Sequence, residues 1–465
     1  MTAVMWFRRD LRLADNPALL DAVAAGDGRV LGLFVLDPLL WERSGDPRRE
    51  QLLASLRALS ASMGGRLVVR RGDPAEVVPA VAGAVRASSV HVSADYAPYG
   101  QERDLAVEGA LGCPLVRTGS AYAVAPGRVL NQQGRSYQVF TPYFRAWLEH
   151  GWRKPVDAPA NVRWIEAPGD ELPGVRKAGD ASAVDAGAGD AGTGDAGAVE
   201  AGEAAAGERW RGWLAGVSAY ADERDRPDLD STSRMSVPLK YGEIHPRTML
   251  ADLARRHSAG AEAYRRELAW REFCADLLAR YPRAAWEPLR PEFARMQYDE
   301  PGEPGEPGER GGPLEAWRAG RTGFPIVDAG MRQLAATGFM HNRVRMIVAS
   351  FLVKDLHIHW KYGAHWFMRS LRDGDLASNA LNWQWVAGCG ADAAPYFRIF
   401  NPVTQGLKFD PSGAYVRRWV PELRNLDGKA AHEPWKHGGA AGYPDQLVDH
   451  GEARREALRR YEAIR

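Results

Sequence analysis

Hydrophobic positions along this chain follow two regimes. Over roughly the first 125 residues, short β-branched runs recur: VMWF at 4–7, VLGLFVLD at 30–37, RLVVR at 66–70, SVHVS at 89–93 and PLVR at 114–117. Between them lie stretches apolar at helical spacing, such as REQLLASLRALSASM. The alternation predicts βαβ units and a parallel sheet with helices on both faces. From 208 onward the period is helical, strand signals nearly vanish, and EAYRRELAWREFCADLLARY and HNRVRMIVASFLVKDL read as long amphipathic helices. From about 166 to 207 the composition falls to Ala, Gly, Asp and Glu, the mark of a flexible acidic tether, and PGEPGEPGERGG at 301–312 reads as a surface loop. The expected fold class is therefore α/β plus all-α: a doubly wound, Rossmann-like parallel-sheet domain over 1–130, an interdomain linker over 131–207, and a helical domain over 208–465.

Sheets of this kind bind ligands at the carboxyl ends of their strands. Yet no G-x-G-x-x-G follows the first strand and no P-loop is present, which removes the usual dinucleotide and ATP readings. No apolar run reaches the roughly 20 residues a bilayer span needs, and the opening MTAVMWFRRDLRL is charged where a signal peptide is apolar, so a cytoplasmic protein without membrane contact is expected. Cys113, Cys274 and Cys389 are too few and scattered for a disulfide framework or a Cys-type zinc site, and no metal is expected. The net charge of +1 hides an asymmetry: residues 1–207 hold 22 Lys and Arg against 25 Asp and Glu, residues 208–465 hold 38 against 34. A basic second half permits a phosphate-binding face without requiring one. Nine of the 16 tryptophans lie between Trp270 and Trp435, more than packing asks for, which brings stacking or electron transfer into view.

Four constellations carry candidate chemistry. Glu267, Trp270, Arg271 and Cys274 share one helix face, with Leu268, Phe273 and Leu277 on the buried side. Alone, that face fits a solvated charge beside a half-buried ring at least as well as a stacking platform with a carboxylate for a base edge. In the helix starting at His341, Val344, Ile347, Val348, Phe351 and Leu352 form a core stripe, leaving Asn342, Arg345 and Met346 on a neighbouring face. In RDGDLASNALNWQW, Asp375, Asn379 and Trp383 stand at i, i+4 and i+8, a carboxylate, amide and indole on one stripe that suits a flavin or purine ring. Thr232, Ser233, Arg234 and Ser236, before PLKYGE, offer hydroxyls, backbone N–H groups and a cation to a pyrophosphate.

With VMWFRRDLRLADNPAL, RPDLDSTSRMS, ELAWREF, TGFPIVDAGMRQL, MHNRVRMIVASFLVKDL, DGDLASN and NWQW in this order, the chain resembles the photolyase/cryptochrome family across nearly its whole length, most closely the class I cyclobutane pyrimidine dimer photolyases. The resemblance implies a carbon–carbon lyase that repairs ultraviolet-damaged DNA with light and FAD. It assigns FAD to Tyr220, Thr232, Ser233, Arg234, Met235, Ser236, Glu267, Asn342, Arg345, Asp373, Gly374, Asp375 and Asn379, with Asn379 at the flavin N5. It assigns the dimer to Glu267, Asn342, Met346, Trp270 and Trp385, and DNA phosphates to Arg224 and Arg343. The lesion must be flipped out of the duplex, and electron transfer from excited, fully reduced FAD then opens the cyclobutane ring.

The family reduces its flavin through three tryptophans. Trp383 fits the nearest and Trp360 the middle one, whereas the third position falls on Tyr298, so slowed photoreduction with repair retained is expected. In the sheet domain, folate-using members carry Asn-Glu where this chain has Tyr99 and Gly100, and DYAPYGQERD resembles deazaflavin-type members instead. On that analogy Asp37, Arg49, Asp95, Arg103 and Lys240 surround an 8-hydroxy-5-deazaflavin antenna, with methenyltetrahydrofolate or an empty cleft as alternatives. A signalling cryptochrome usually adds a C-terminal extension, and here the chain stops soon after its last helical pattern at 450–465. A (6-4) photolyase uses a pair of histidines near the position of Asn342, where only His341 stands. A monomer acting on damaged DNA is the expected partner state.

Overall fold

The computed structural model describes residues 1–174, 200–302, 311–392 and 397–465. Its N-terminal strands β1 (Thr2–Phe7), β2 (Arg29–Leu36), β3 (Val68–Arg71), β4 (Ala87–Ala94) and β5 (Leu115–Ser120) run parallel in the order β3-β2-β1-β4-β5. Period-two alternation decides which side chain meets which layer of helices. Ala3, Met5 and Phe7 join Val30 and Phe34 on one face, while Val4 and Trp6 join Leu31, Leu33 and Val35 on the other. Both faces are buried, as a parallel sheet requires. The strand order reverses between β1 and β4, so the carboxyl ends of these two strands open the crevice where such sheets take ligands.

The interval 131–207 is more than a tether. It holds the helix Phe140–His150, whose Phe140, Tyr143, Phe144 and Trp147 are buried in the core shared with the helix Ala259–Arg280. It also holds a sixth strand, β6 (Arg163–Trp164), which pairs with β2, and the start of the helix Glu203–Leu214. Four aromatics at helical spacing were the available signal, and the low-complexity tract beside them concealed it. Residues 175–199 of that tract and 303–310 of the Pro-Gly loop lie outside the described residues.

The C-terminal half is helical and packs around two hydrophobic cores. One gathers around the helices Pro325–Thr337, Asn342–Lys354 and Trp360–Ser370, the other around Ala259–Arg280. No described helix is long and apolar enough to cross a membrane, and no cluster of described His, Cys, Asp and Glu is suited to a metal ion. Cys113, Cys274 and Cys389 are free thiols.

Buried polar bonds lock the halves together. Asp15 takes Arg247 Nη2 at 2.7 Å and lies 3.3 Å from His245 Nδ1, the three residues being 2%, 3% and 1% exposed. Burial, then Arg12 and Arg247, drive the His245 imidazole well below its usual range, so it is neutral and Arg247 is the cation that balances Asp15. Breaking a buried pair by removing one partner costs about 3–5 kcal/mol. Arg247→Ala is therefore expected to lower the unfolding free energy by that much, seen as a lower denaturant midpoint, and an unchanged midpoint would show that the pair contributes no net stability. At Gly242, φ is +70° and a Cβ would stand 1.9 Å from the Arg9 carbonyl oxygen, so only glycine lets the two halves approach here.

Candidate active site

A cavity of about 490 Å³ opens between the two helical cores, within the 300–1,000 Å³ typical of cofactor sites. Three helices supply most of its walls: Ala259–Arg280, Asn342–Lys354 and Leu376–Ala387. His341 caps the second, its Nδ1 accepting from Arg343 N at 3.2 Å, and Asp375 caps the third, accepting from Ser378 N at 3.1 Å. These caps set Asn342 and Asn379 on the first turns, facing the cavity. Tyr220, Thr232, Ser233, Arg234, Met235, Ser236, Arg345, Asp373, Gly374, Asp375, Asn379 and Trp383 all line it. So do Arg224, Glu267, Trp270, Asn342, Arg343, Met346 and Trp385. Four separate stretches of sequence thus meet in one hole.

Its inner wall is polar and charge-balanced. Arg345 donates to Asp373 Oδ2 at 2.8 Å and to the Met340 carbonyl at 2.8 Å, leaving Asp373 Oδ1 buried without a partner. Arg9, at the carboxyl end of β1, reaches across the domain boundary to Asp375 at 2.6 Å. Burial alone would raise the Asp375 carboxyl, but Arg9, Lys240 and Arg271 hold it below the usual carboxylate range. Burial, with Arg9 adding, pushes the Lys240 amine down to about 7. Asn379 Nδ2 donates to the Ala364 carbonyl at 2.9 Å, which leaves Oδ1 to accept from a ligand N–H. Ser233 Oγ bonds Tyr264 OH at 2.8 Å, and Arg234 sits at φ +53°, a left-handed turn that exposes backbone around the tetrad. Trp383 Nε1 is a buried donor without a partner. Orphan acceptor, orphan donor, free amide oxygen and a floor of paired charges together match a heteroaromatic ligand that carries a pyrophosphate.

The outer wall is aromatic. The Trp270 ring stacks on Phe140, centroids 3.7 Å apart and planes 7° off parallel, so its position is fixed from behind. Trp385 donates Nε1–H to the Asp392 carbonyl at 3.0 Å. Glu267 pairs with Arg224 at 2.7 Å, and Arg343 with Asp225 at 2.9 Å. Burial pushes the His341 imidazole down to about 4, keeping it neutral behind Asn342.

Behind the cavity wall, Trp383 packs on the next helix. Its ring packs edge-on to Phe367 at 5.0 Å, and a Cβ at Gly363 would stand 2.1 Å from Trp383 Cη2, so the indole lies directly against the backbone of the helix Trp360–Ser370. Trp360, 1% exposed, opens that helix. The His359 ring lies 5.6 Å from Trp360 and 4.5 Å from Tyr298, and all three line a second cavity of about 240 Å³. Burial raises the Tyr298 phenol, so it is protonated at neutral pH.

The remaining candidates gather at the sheet crevice. Asp37 accepts from Tyr99 OH, Asp95 pairs with Arg103 at 3.3 Å, and the Arg103 guanidinium lies 5.2 Å over the Trp6 ring. A Cβ on Gly100 would meet the Asp95 carboxyl carbon at 2.3 Å, so the glycine admits that carboxylate. Arg49 bonds the Trp41 carbonyl at 3.0 Å, on the short helix Pro38–Glu42 that Asp37 caps, and Lys240 lines the large cavity while also facing Asp95. Sequence reasoning missed Arg9 and Phe140. Arg9 was signalled by the FRRD run at the end of the first strand; Phe140 had only the aromatic spacing noted above.

The sheet domain matches the family model described as DNA photolyase over residues 3–160, and the helical half matches the FAD binding domain of DNA photolyase over 264–463. The chain is 42% identical over 467 residues to the deoxyribodipyrimidine photo-lyase of Streptomyces griseus, covering 97% of each. It resembles a bacterial class III photolyase from Agrobacterium tumefaciens with TM-score 0.87 and 37% identity, over 100% of this chain and 97% of that one. An archaeal photolyase from Sulfolobus tokodaii, solved with two FAD molecules, gives TM-score 0.80 and 27% identity over 100% of each. Because these matches take in the sheet, the cavity and the C-terminal helices alike, the chain belongs to the DNA photolyase family.

Proposed function

We propose that this protein repairs cyclobutane pyrimidine dimers in ultraviolet-damaged DNA, driven by light and using FAD in its fully reduced form. The observation that carries this reading is the two-sided cavity: a charge-balanced polar floor and an aromatic outer wall share one space. FAD, when bound, supplies the electron that opens the cyclobutane ring and takes it back afterwards. The protein's part is to hold, shield and position.

Arg345 and Asp373 serve the flavin's polar edge, Thr232 to Ser236 its pyrophosphate, and Tyr220, Gly374, Asp375 and Asn379 complete the cradle. Trp270 and Trp385 flank the flipped pyrimidines, Met346 packs softly against them, and Glu267 and Asn342 meet their polar edges. Arg224 and Arg343 reach for phosphates. The (6-4) reading is disfavoured because Asn342 and Met346 occupy the lesion wall beside a single capping His341. A purely signalling role leaves that intact wall without a purpose. The complete cavity comes from one chain, which supports a monomer, and the absence of a spanning helix among the described residues suits the cytoplasm. The sheet crevice around Asp37, Asp95 and Arg103 is assigned to an antenna pigment of the 8-hydroxy-5-deazaflavin type, which adds a blue-violet absorption band that FAD lacks.

The test is direct: reduced protein, ultraviolet-irradiated oligo(dT), and blue or near-ultraviolet illumination. Thymine absorbance should recover in the light and not in the dark; no recovery overturns the proposal. Flavin photoreduction is assigned to Trp383, Trp360 and Tyr298. Tyr298→Phe should slow accumulation of reduced flavin while repair by prereduced protein is retained. Equal rates in variant and wild type would remove Tyr298 from the path.

A further inference from the structure

Two ion pairs stand side by side at the cavity mouth, Arg224–Glu267 at 2.7 Å and Arg343–Asp225 at 2.9 Å. In the first, each side chain is 29% exposed, so the pair is open to a ligand yet largely desolvated. The function proposed above asks Arg224 to meet a phosphate and Glu267 to meet the lesion. A guanidinium drawn to a phosphate leaves its carboxylate, and few groups nearby replace it. From the short helix Tyr220–Glu223 and its end, Glu267 faces Tyr220, Arg224 and the acidic Asp225; from its own helix it faces Tyr264 and Arg266. Arg266 is committed elsewhere, its guanidinium 4.7 Å over Phe144 and 5.3 Å over Phe140. Across the cavity, Arg343 is held by Asp225 and lies 4.4 Å over Phe409.

We infer that Arg224 is a positioning residue that couples DNA docking to protonation of Glu267, an inference that rests on the lesion-binding reading above. On docking, the guanidinium exchanges the carboxylate for a phosphate oxygen, and Glu267 takes up one proton from solvent. Its new O–H then donates to a carbonyl oxygen of the lesion. The exchange makes and breaks no covalent bond except the O–H formed with that solvent proton. It also suits the chemistry: a lesion that receives an electron gains negative charge at its carbonyl oxygens, which a carboxylate would repel and a carboxylic acid stabilises. Burial already raises the Glu267 carboxyl, and Arg224 is the largest influence opposing it, so losing Arg224 shifts the balance toward the acid form.

The sign follows from linkage. The complex binds more protons than the free protein, so affinity is fullest at low pH and falls as pH rises from the free-protein value of Glu267 to its value in the complex, by up to tenfold per pH unit. The experiment is dark calorimetric binding of a dimer-bearing oligonucleotide to the flavin-loaded protein, repeated in buffers of different ionisation enthalpy and across pH. Wild type should take up close to one proton. Glu267→Gln should bind with little proton uptake and a flat pH profile, and Arg224→Gln should bind more weakly with reduced uptake. Tight wild-type binding without proton uptake, or undiminished uptake in Glu267→Gln, overturns the inference while leaving the lesion-binding reading in place. Absence of any preference for dimer-bearing DNA in wild type overturns both.

Discussion

Asp373→Ala protein should purify with little or no flavin. In the wild type, Arg345 is fixed between the Asp373 carboxylate and the Met340 carbonyl, both at 2.8 Å, and Asp373 Oδ1 faces the interior unpaired. Removing the carboxylate withdraws an acceptor from the ligand and leaves a desolvated guanidinium without its counter-charge. Loss of one partner of such a pair costs about 3–5 kcal/mol, roughly a hundredfold or more in flavin affinity if the cost falls on the bound state. The measurement is flavin absorbance per protein at purification, followed by titration of the stripped protein with FAD. Wild-type occupancy in Asp373→Ala would show that the Arg345–Asp373 pair serves packing only. Far-ultraviolet circular dichroism should show the variant folded like the wild type.

The second large effect concerns the lesion. Trp270 rests on Phe140 at 3.7 Å and shows its other side to the cavity. A ring backed in this way loses little entropy when a base stacks on it, and such stacking contributes roughly 1–3 kcal/mol. Trp270→Ala should therefore weaken binding to dimer-bearing DNA by about 10- to 100-fold while leaving affinity for undamaged duplex unchanged, since duplex contacts run through phosphates. Dark titrations with matched oligonucleotides decide it. An equal loss on both DNAs would place Trp270 in general DNA contact. Phe140→Ala is expected to give a smaller loss of the same kind.

Much of this architecture could be read from residue order because local pattern and tertiary burial agree. The strict alternation in β1 separates Met5 from Trp6 onto opposite faces, and the stripe from Val344 to Leu352 is buried as its spacing demands. Asp375, Asn379 and Trp383 meet one cavity because helical periodicity alone aligns them. Other features were not legible. No local signal announces that Arg9 crosses the domain boundary to Asp375, or that Glu267 and Arg224, 43 positions apart in sequence order, stand 2.7 Å from each other. Nor does any local signal show that Lys240 lines the large cavity while facing both Asp375 and Asp95. The helix Phe140–His150 is masked in sequence because the Ala-, Gly- and Asp-rich tract that follows dominates the interval 131–207. Folding brings distant charges and rings together, and those contacts carry most of the site's electrostatics.

The central claim is that one cavity holds a flavin and a flipped dimer close enough for an electron to pass. Its most direct test is the fluorescence lifetime of the reduced, flavin-loaded protein, measured with and without saturating dimer-bearing oligonucleotide. Electron transfer to an adjacent dimer should shorten the lifetime severalfold, and the same oligonucleotide without a dimer should leave it unchanged. A lifetime that stays the same when the dimer is demonstrably bound would contradict the account.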